Sequence, residues 1–116
     1  MSTSKDTMTY LAEQLNRCEV GTVTYKKMFG EYGVYLDDKI FSLVCDDRLF
    51  FKVKHLEDNV VDELFGNREA PFPGANGYSE VSGDFIEDVP ELTLRLKTVM
   101  ATLPVKVKKK TAGRKA

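Results

Sequence analysis

Tryptophan is absent from the chain, histidine occurs once, and cysteine occurs twice in 116 residues. Each scarcity removes a class of function. With His55 as the lone imidazole, no zinc-type cluster of His and Cys ligands can be assembled. Cys18 and Cys45 are too few and too far apart to read as a disulfide framework. They read instead as small buried thiols. No apolar run approaches the roughly 18 to 20 residues that a membrane helix needs. The N-terminal MSTSKDTMTY lacks the apolar central stretch of a secretory signal. The expectation is a cytoplasmic protein with no membrane attachment, no metal and no cofactor.

What is present is ordinary for a globular domain, with 42% hydrophobic and 30% charged residues. The length fits one domain with a modest core. The net charge of −1 conceals a split. Residues 104–116, PVKVKKKTAGRKA, carry Lys106, Lys108, Lys109, Lys110, Arg114 and Lys115 and no acid, which leaves 11 basic and 18 acidic residues, net −7, in residues 1–103. The division expected is a folded domain over 1–103 and a basic, disordered tail over 104–116.

Met8, Leu11, Leu15 and Cys18 repeat at helical spacing and predict a helix over about 7–18. Asp6 is a candidate N-cap for it, and Gly21 marks a break. A β region follows, with runs at 22–29, 33–37, 39–46 and 48–54. The short acidic separators Asp37-Asp38-Lys39 and Asp46-Asp47-Arg48 suit hairpin turns between antiparallel strands. The run from Ile40 to Cys45 is apolar at nearly every position, as in a central strand. In FKVK (51–54), Phe51 and Val53 alternate with Lys52 and Lys54, which implies one wet face. Leu56, Val60 and Leu64 give a second helical stripe, with Gly66 placed as a C′ glycine. NREAPFPGANG (67–77) reads as a loop, and YSEVS (78–82) as a returning strand. Pro90 sits near the start of a last helix with the stripe Leu92, Leu96, Val99 and Leu103, ended by Pro104. The order α-β-β-β-β-α-β-α predicts a two-layer α+β domain. Its antiparallel sheet would have four to five strands, with helices on one face.

The stretch KKMFGEYGVYLDDKIFSLVCDDRLFFKV resembles the N-terminal domain of the TfoX/Sxy family of bacterial competence regulators. The resemblance rests on Lys26 or Lys27, then Met28-Phe29-Gly30, Gly33, Tyr35 and the closing Lys52-Val53. Pro71, Phe72 and Tyr78 of APFPGANGYSEV fit the family's Pro-Phe loop and following strand. The match spans about residues 7–103. Glu31 stands where relatives often carry glycine, Asp38 where a turn glycine is common, and Ser82-Gly83 where Val-Pro is usual. The separate C-terminal helical domain of full-length regulators has no counterpart, so the resemblance implies a stand-alone N-terminal domain. It implies a non-enzymatic regulatory or adaptor role in competence or transcription, exerted through protein contacts.

Other chemistry can be weighed against packing. A Gly-x-x-Gly corner at Gly30 and Gly33 could cradle phosphate, but Glu31 would repel the anion, and a bend between strands accounts for both glycines. Asp37/Asp38 and Asp46/Asp47 could act as acid–base pairs, yet neighbours at a turn point to water. Cys45 and His55 could pair as nucleophile and base, but no orienting third group is evident. Tyr25, Lys26, Lys27 and Tyr32 form the candidate interaction patch, beside Tyr35. The tail cations could hold nucleic acid through counterion release, without sequence preference. A homodimer through an exposed sheet face or edge is a further expectation.

Overall fold

A computed structural model describes residues 3–28, 31–66 and 68–103. Phe29, Gly30 and the six tail cations, Lys106 to Lys115, lie outside the described residues. Helix α1 (Lys5–Arg17) begins at Ser4, whose Oγ accepts the Thr7 N–H at 3.1 Å. The cap is therefore Ser4 and not Asp6. Asp6 sits in the first turn instead, where a carboxylate still complements the helix dipole. At the other end Glu19 takes the left-handed conformation (φ 54°) and donates its N–H to Asn16 O at 3.1 Å. The helix is thus closed two residues before Gly21.

Strands β1 (Val23–Met28), β2 (Glu31–Leu36), β3 (Lys39–Cys45), β4 (Arg48–Lys52) and β5 (Tyr78–Glu80) form one antiparallel sheet in chain order. Helix α2 (Asp58–Leu64) lies between β4 and β5, and α3 (Gly83–Glu87) and α4 (Val89–Thr102) follow β5. The α+β architecture matches the expectation, with α3 as an addition. That helix is five residues long and carries glycine first, so it shows no apolar period. Its start is marked only by Ser82, whose Oγ accepts the Asp84 N–H at 3.2 Å.

Both acidic hairpin turns are real. Asp37, Asp38, Asp46 and Asp47 all have positive φ, between 49° and 70°, as the two central residues of a type I′ turn require. Gly66 has φ +94° and donates its N–H to Val61 O, which makes it the C′ glycine of α2. Gly33 is different: it is a strand residue opposite Lys26 and Leu43, not a bend.

The helices pack on one face of the sheet, over Val34, Leu36, Phe41, Val44, Leu49, Phe51 and Val53. Leu92, Leu96 and Val99 of α4 are fully buried there with Met8, Leu11 and Leu15 of α1. Each such side chain contributes about 1.5–3 kcal/mol of transfer free energy. The Phe51 ring meets Phe41 and Phe65 edge-on, at 5.4 and 6.2 Å. A β-bulge leaves Phe41 unpaired between Ile40, opposite Tyr35, and Ser42, opposite Val34. The bulge lets Phe41 and Val44 turn to the helices while Ile40, Leu43 and Cys45 turn to the other face. There they join Met28, Phe50 and Tyr78 in a second, smaller apolar cluster. The long apolar run of β3 is explained by cover on both sides.

Candidate functional site

The helix-free face carries a concavity. It is a cleft of about 580 Å³ whose floor is Met28, Leu43 and Cys45 and whose wall is Pro71-Phe72-Pro73, with Glu31 and Asp46 at its rim. Phe72 stands 51% exposed at the lip. An apolar floor with a projecting aromatic can bury another apolar group. It offers no reacting pair.

Met28 occupies the floor because residue 33 is glycine. A Cβ on Gly33 would lie 2.4 Å from Met28 Cε, so the methionine side chain crosses the sheet through the space that a larger residue would fill. Glu31 has structural work at the rim. Its Oε1 accepts the Thr3 hydroxyl at 2.6 Å and the Asp46 N–H at 3.1 Å, which ties the chain before α1 to the β3–β4 turn. Asp47 Oδ1 accepts the Ser4 N–H at 2.9 Å, and Asp37 Oδ1 accepts the Thr22 N–H at 3.0 Å. These carboxylates hold backbone in place. The Ser4 N–H keeps the Asp47 carboxyl below the usual carboxylate range.

The wall is anchored by arginines that periodicity alone did not single out. Arg48 Nη2 lies 2.7 Å from Glu80 and 2.5 Å from Glu69, and its guanidinium sits 5.0 Å from the Phe50 ring centre. The two carboxylates, Glu80 first, push its pKa further up. Arg68 donates to Val53 O and Leu56 O and pairs with Asp58 at 2.8 Å. Beneath the helices, buried Arg95 donates from Nε to Leu64 O at 2.8 Å and from Nη1 to Glu91, and stacks 3.5 Å from the Phe85 ring centre.

A Cys45–His55 pair is not assembled. Cys45 faces Arg48 across the ladder, and His55 lies in the turn beyond the far end of β4. The strand from Arg48 to Lys52 alone spans about 13 Å at 3.3 Å per residue. Burial, with Glu31 and Asp46 nearby, pushes the Cys45 thiol up to about 11. A protonated thiol is a poor nucleophile at neutral pH. Burial also raises the Cys18 thiol. Among the described residues, no group of His, Cys, Asp and Glu is placed to hold a metal ion. No described helix is long and apolar enough to cross a membrane.

The candidate interaction residues divide between surfaces. On β1, Val23 packs toward the helices and Met28 toward the cleft. Alternation therefore puts Tyr25 and Lys27 on the helix side and Thr24 and Lys26 on the cleft side. Tyr32 is buried, and the exposed Tyr25 ring meets it edge-on at 5.6 Å. Tyr25, Lys26 and Tyr35 also line a shallow hollow with Thr24 and Asp38. Lys26 and Lys27, neighbours in sequence, are thus placed on opposite faces of β1.

With this geometry in view, a family model described as the TfoX N-terminal domain matches residues 13–101. The chain is also 37% identical over 93 residues to an uncharacterized 12.7 kDa protein in the trpE 5′ region of Spirochaeta aurantia, covering 75% of this chain and 76% of that one.

Proposed function

Because the chain belongs to the TfoX N-terminal domain family, we propose that it is a non-enzymatic regulatory domain, working in competence or transcription through contacts with another protein. The observation that carries this reading is the cleft. Its floor of Met28 and Leu43 and its exposed Phe72 offer apolar contact area. The nearby ionisable groups serve the backbone or are held un-ionised. A site of this kind suits binding and not bond-breaking. The test is transcript profiling in cells that lack the gene, complemented with the wild-type chain or with Phe72→Asp. Restoration by the wild type alone is the expected result. Equal restoration by both, or profiles unchanged by the deletion, would overturn the reading.

The charge split supports a second reading, in which residues 104–116 bind nucleic acid without sequence preference. Six cations at one end of a body of net −7 would confine contact to the tail. Binding should then weaken with salt, with a log–log slope no steeper than about −5 for six phosphates. It should vanish when the tail is removed. Retention of binding after tail removal would reject the assignment.

A further inference from the structure

The two edges of the sheet are unlike. At one, β5 is three residues long, and the chain beside it is tied back by the Glu69 N–H to Tyr78 O bond of 2.7 Å. At the other, β1 runs for six residues, with Thr24 to Lys27 exposed in succession. The direction of its backbone groups follows from the ladder. The Asp37 N–H donates to Thr22 O at 3.0 Å, so Thr22 and Asp37 form a hydrogen-bonded pair. In antiparallel pairing such pairs recur at every second residue. Thr24, Lys26 and Met28 therefore spend their N–H and C=O groups on β2, opposite Tyr35, Gly33 and Glu31. Val23, Tyr25 and Lys27 turn theirs outward, to an edge where the sheet order places no further strand among the described residues.

We propose that this edge pairs with the same edge of a second copy of the chain, antiparallel and centred on Tyr25, to continue the sheet across a two-fold axis. The register follows from three constraints. A two-fold axis normal to the sheet keeps the helices of both copies on one side, so partners must share a face. The outward groups must meet outward groups, which places the axis on a residue of β1, from Val23 to Lys27, and not between two residues. Centring on Lys26 or Lys27 would oppose two lysines directly, which is destabilising across a strand pair. Centring on Val23 or Thr24 would leave Lys27 beyond the paired segment.

With Tyr25 at the axis, Tyr25 exchanges both backbone bonds with its mate, and Val23 does so with Lys27 of the second copy. Lys26 lies opposite Thr24, so no like charges face each other. The ring of Tyr25, 41% exposed in the single chain, gains its own counterpart. An unpaired edge of this length is otherwise an open template for other strands. This inference is independent of the regulatory reading above, which rests on the cleft and not on the backbone groups of this edge.

The test uses the full chain. Light scattering after size exclusion should give twice the chain mass. Tyr25→Pro removes the outward N–H and the ring that meets Tyr32, but no N–H that the β1–β2 ladder uses, and should halve that mass while circular dichroism stays unchanged. If that variant fails to fold, Tyr25→Cys decides. Paired Cα atoms about 5.5 Å apart fall within disulfide range. Mild oxidation should therefore link Tyr25→Cys chains and leave Lys27→Cys chains unlinked, the native Cys18 and Cys45 being buried. A single-chain mass with no cross-link at residue 25 would overturn the proposal, in favour of a foreign strand at this edge. So would a dimer that survives Tyr25→Pro, or one that cross-links at residue 27.

Discussion

Met28 lies across Gly33, with its Cε 2.4 Å from where a Cβ at residue 33 would sit. Gly33→Ala should therefore displace the methionine from the cleft floor. The colliding atom is the end of a flexible side chain, so the cost should be moderate, about 1 kcal/mol. Urea melts of Gly33→Ala, Met28→Ala and the double variant would measure it. The cost of the alanine should shrink when residue 28 is also alanine. An equal cost in both backgrounds would show that the methionine is not the reason for the glycine.

Glu19 closes α1 in the left-handed conformation, which suits glycine better than a residue with a Cβ. Glu19→Gly is expected to stabilise the protein by about 0.5–1 kcal/mol, read as a higher denaturation midpoint. A lower midpoint would mean that the Glu19 side chain contributes more than its backbone strain costs.

Cys45 should be slow to alkylate in the folded protein. With its thiol pushed up to about 11, about one molecule in a thousand is ionised at pH 8. Iodoacetamide should modify it far faster in urea, and the folded-state rate should climb with pH toward 11. Linkage gives the sign for stability. The unfolded thiol loses its proton above its ordinary 9.0 while the folded one keeps it, so this group's contribution is complete below 9.0 and declines between there and about 11. Cys45→Ser should flatten that decline. Fast alkylation at pH 7 would contradict the buried, un-ionised thiol.

Arg95 joins α4 to the end of α2 and to α3. Its loss as Arg95→Ala should cost about 2–4 kcal/mol, since Leu64 O loses its donor and the Phe85 ring its cation. Arg95→Lys keeps the charge but not the planar fork, and should fall between the two. A lysine variant as stable as wild type would assign the effect to charge alone.

Much of the fold was legible because its signals are local. Asp37-Asp38 and Asp46-Asp47 announce tight turns, and the stripe Leu92, Leu96, Val99, Leu103 is buried as its spacing predicts. Leu103 itself is extended, as suits the residue before a proline. Other features depend on partners distant in sequence. Gly21 reads as a helix stop, yet its lack of a side chain serves the Asp37 carboxylate, which lies 2.6 Å from where a Cβ would be. Gly33 reads as a bend but makes room for Met28. Of the patch Tyr25, Lys26, Lys27 and Tyr32, the two tyrosines meet ring to ring, while strand alternation sends Lys26 and Lys27 to opposite faces, which nearness in sequence does not reveal. The cleft was hidden for a related reason: its floor and its Pro71-Phe72-Pro73 wall come from segments 26 to 45 residues apart.

The segment bearing Phe72 is pinched shut at its base. The Glu69 N–H reaches Tyr78 O, Arg48 grips Glu69 and Glu80 together, and the Val53 N–H bonds Gly77 O at 2.8 Å. The sheet is therefore insulated from whatever happens at the tip. Lengthening such a loop costs little, about 0.6 kcal/mol for each doubling. Residues 70–76 can therefore be rewritten in length and composition while the scaffold is inherited unaltered.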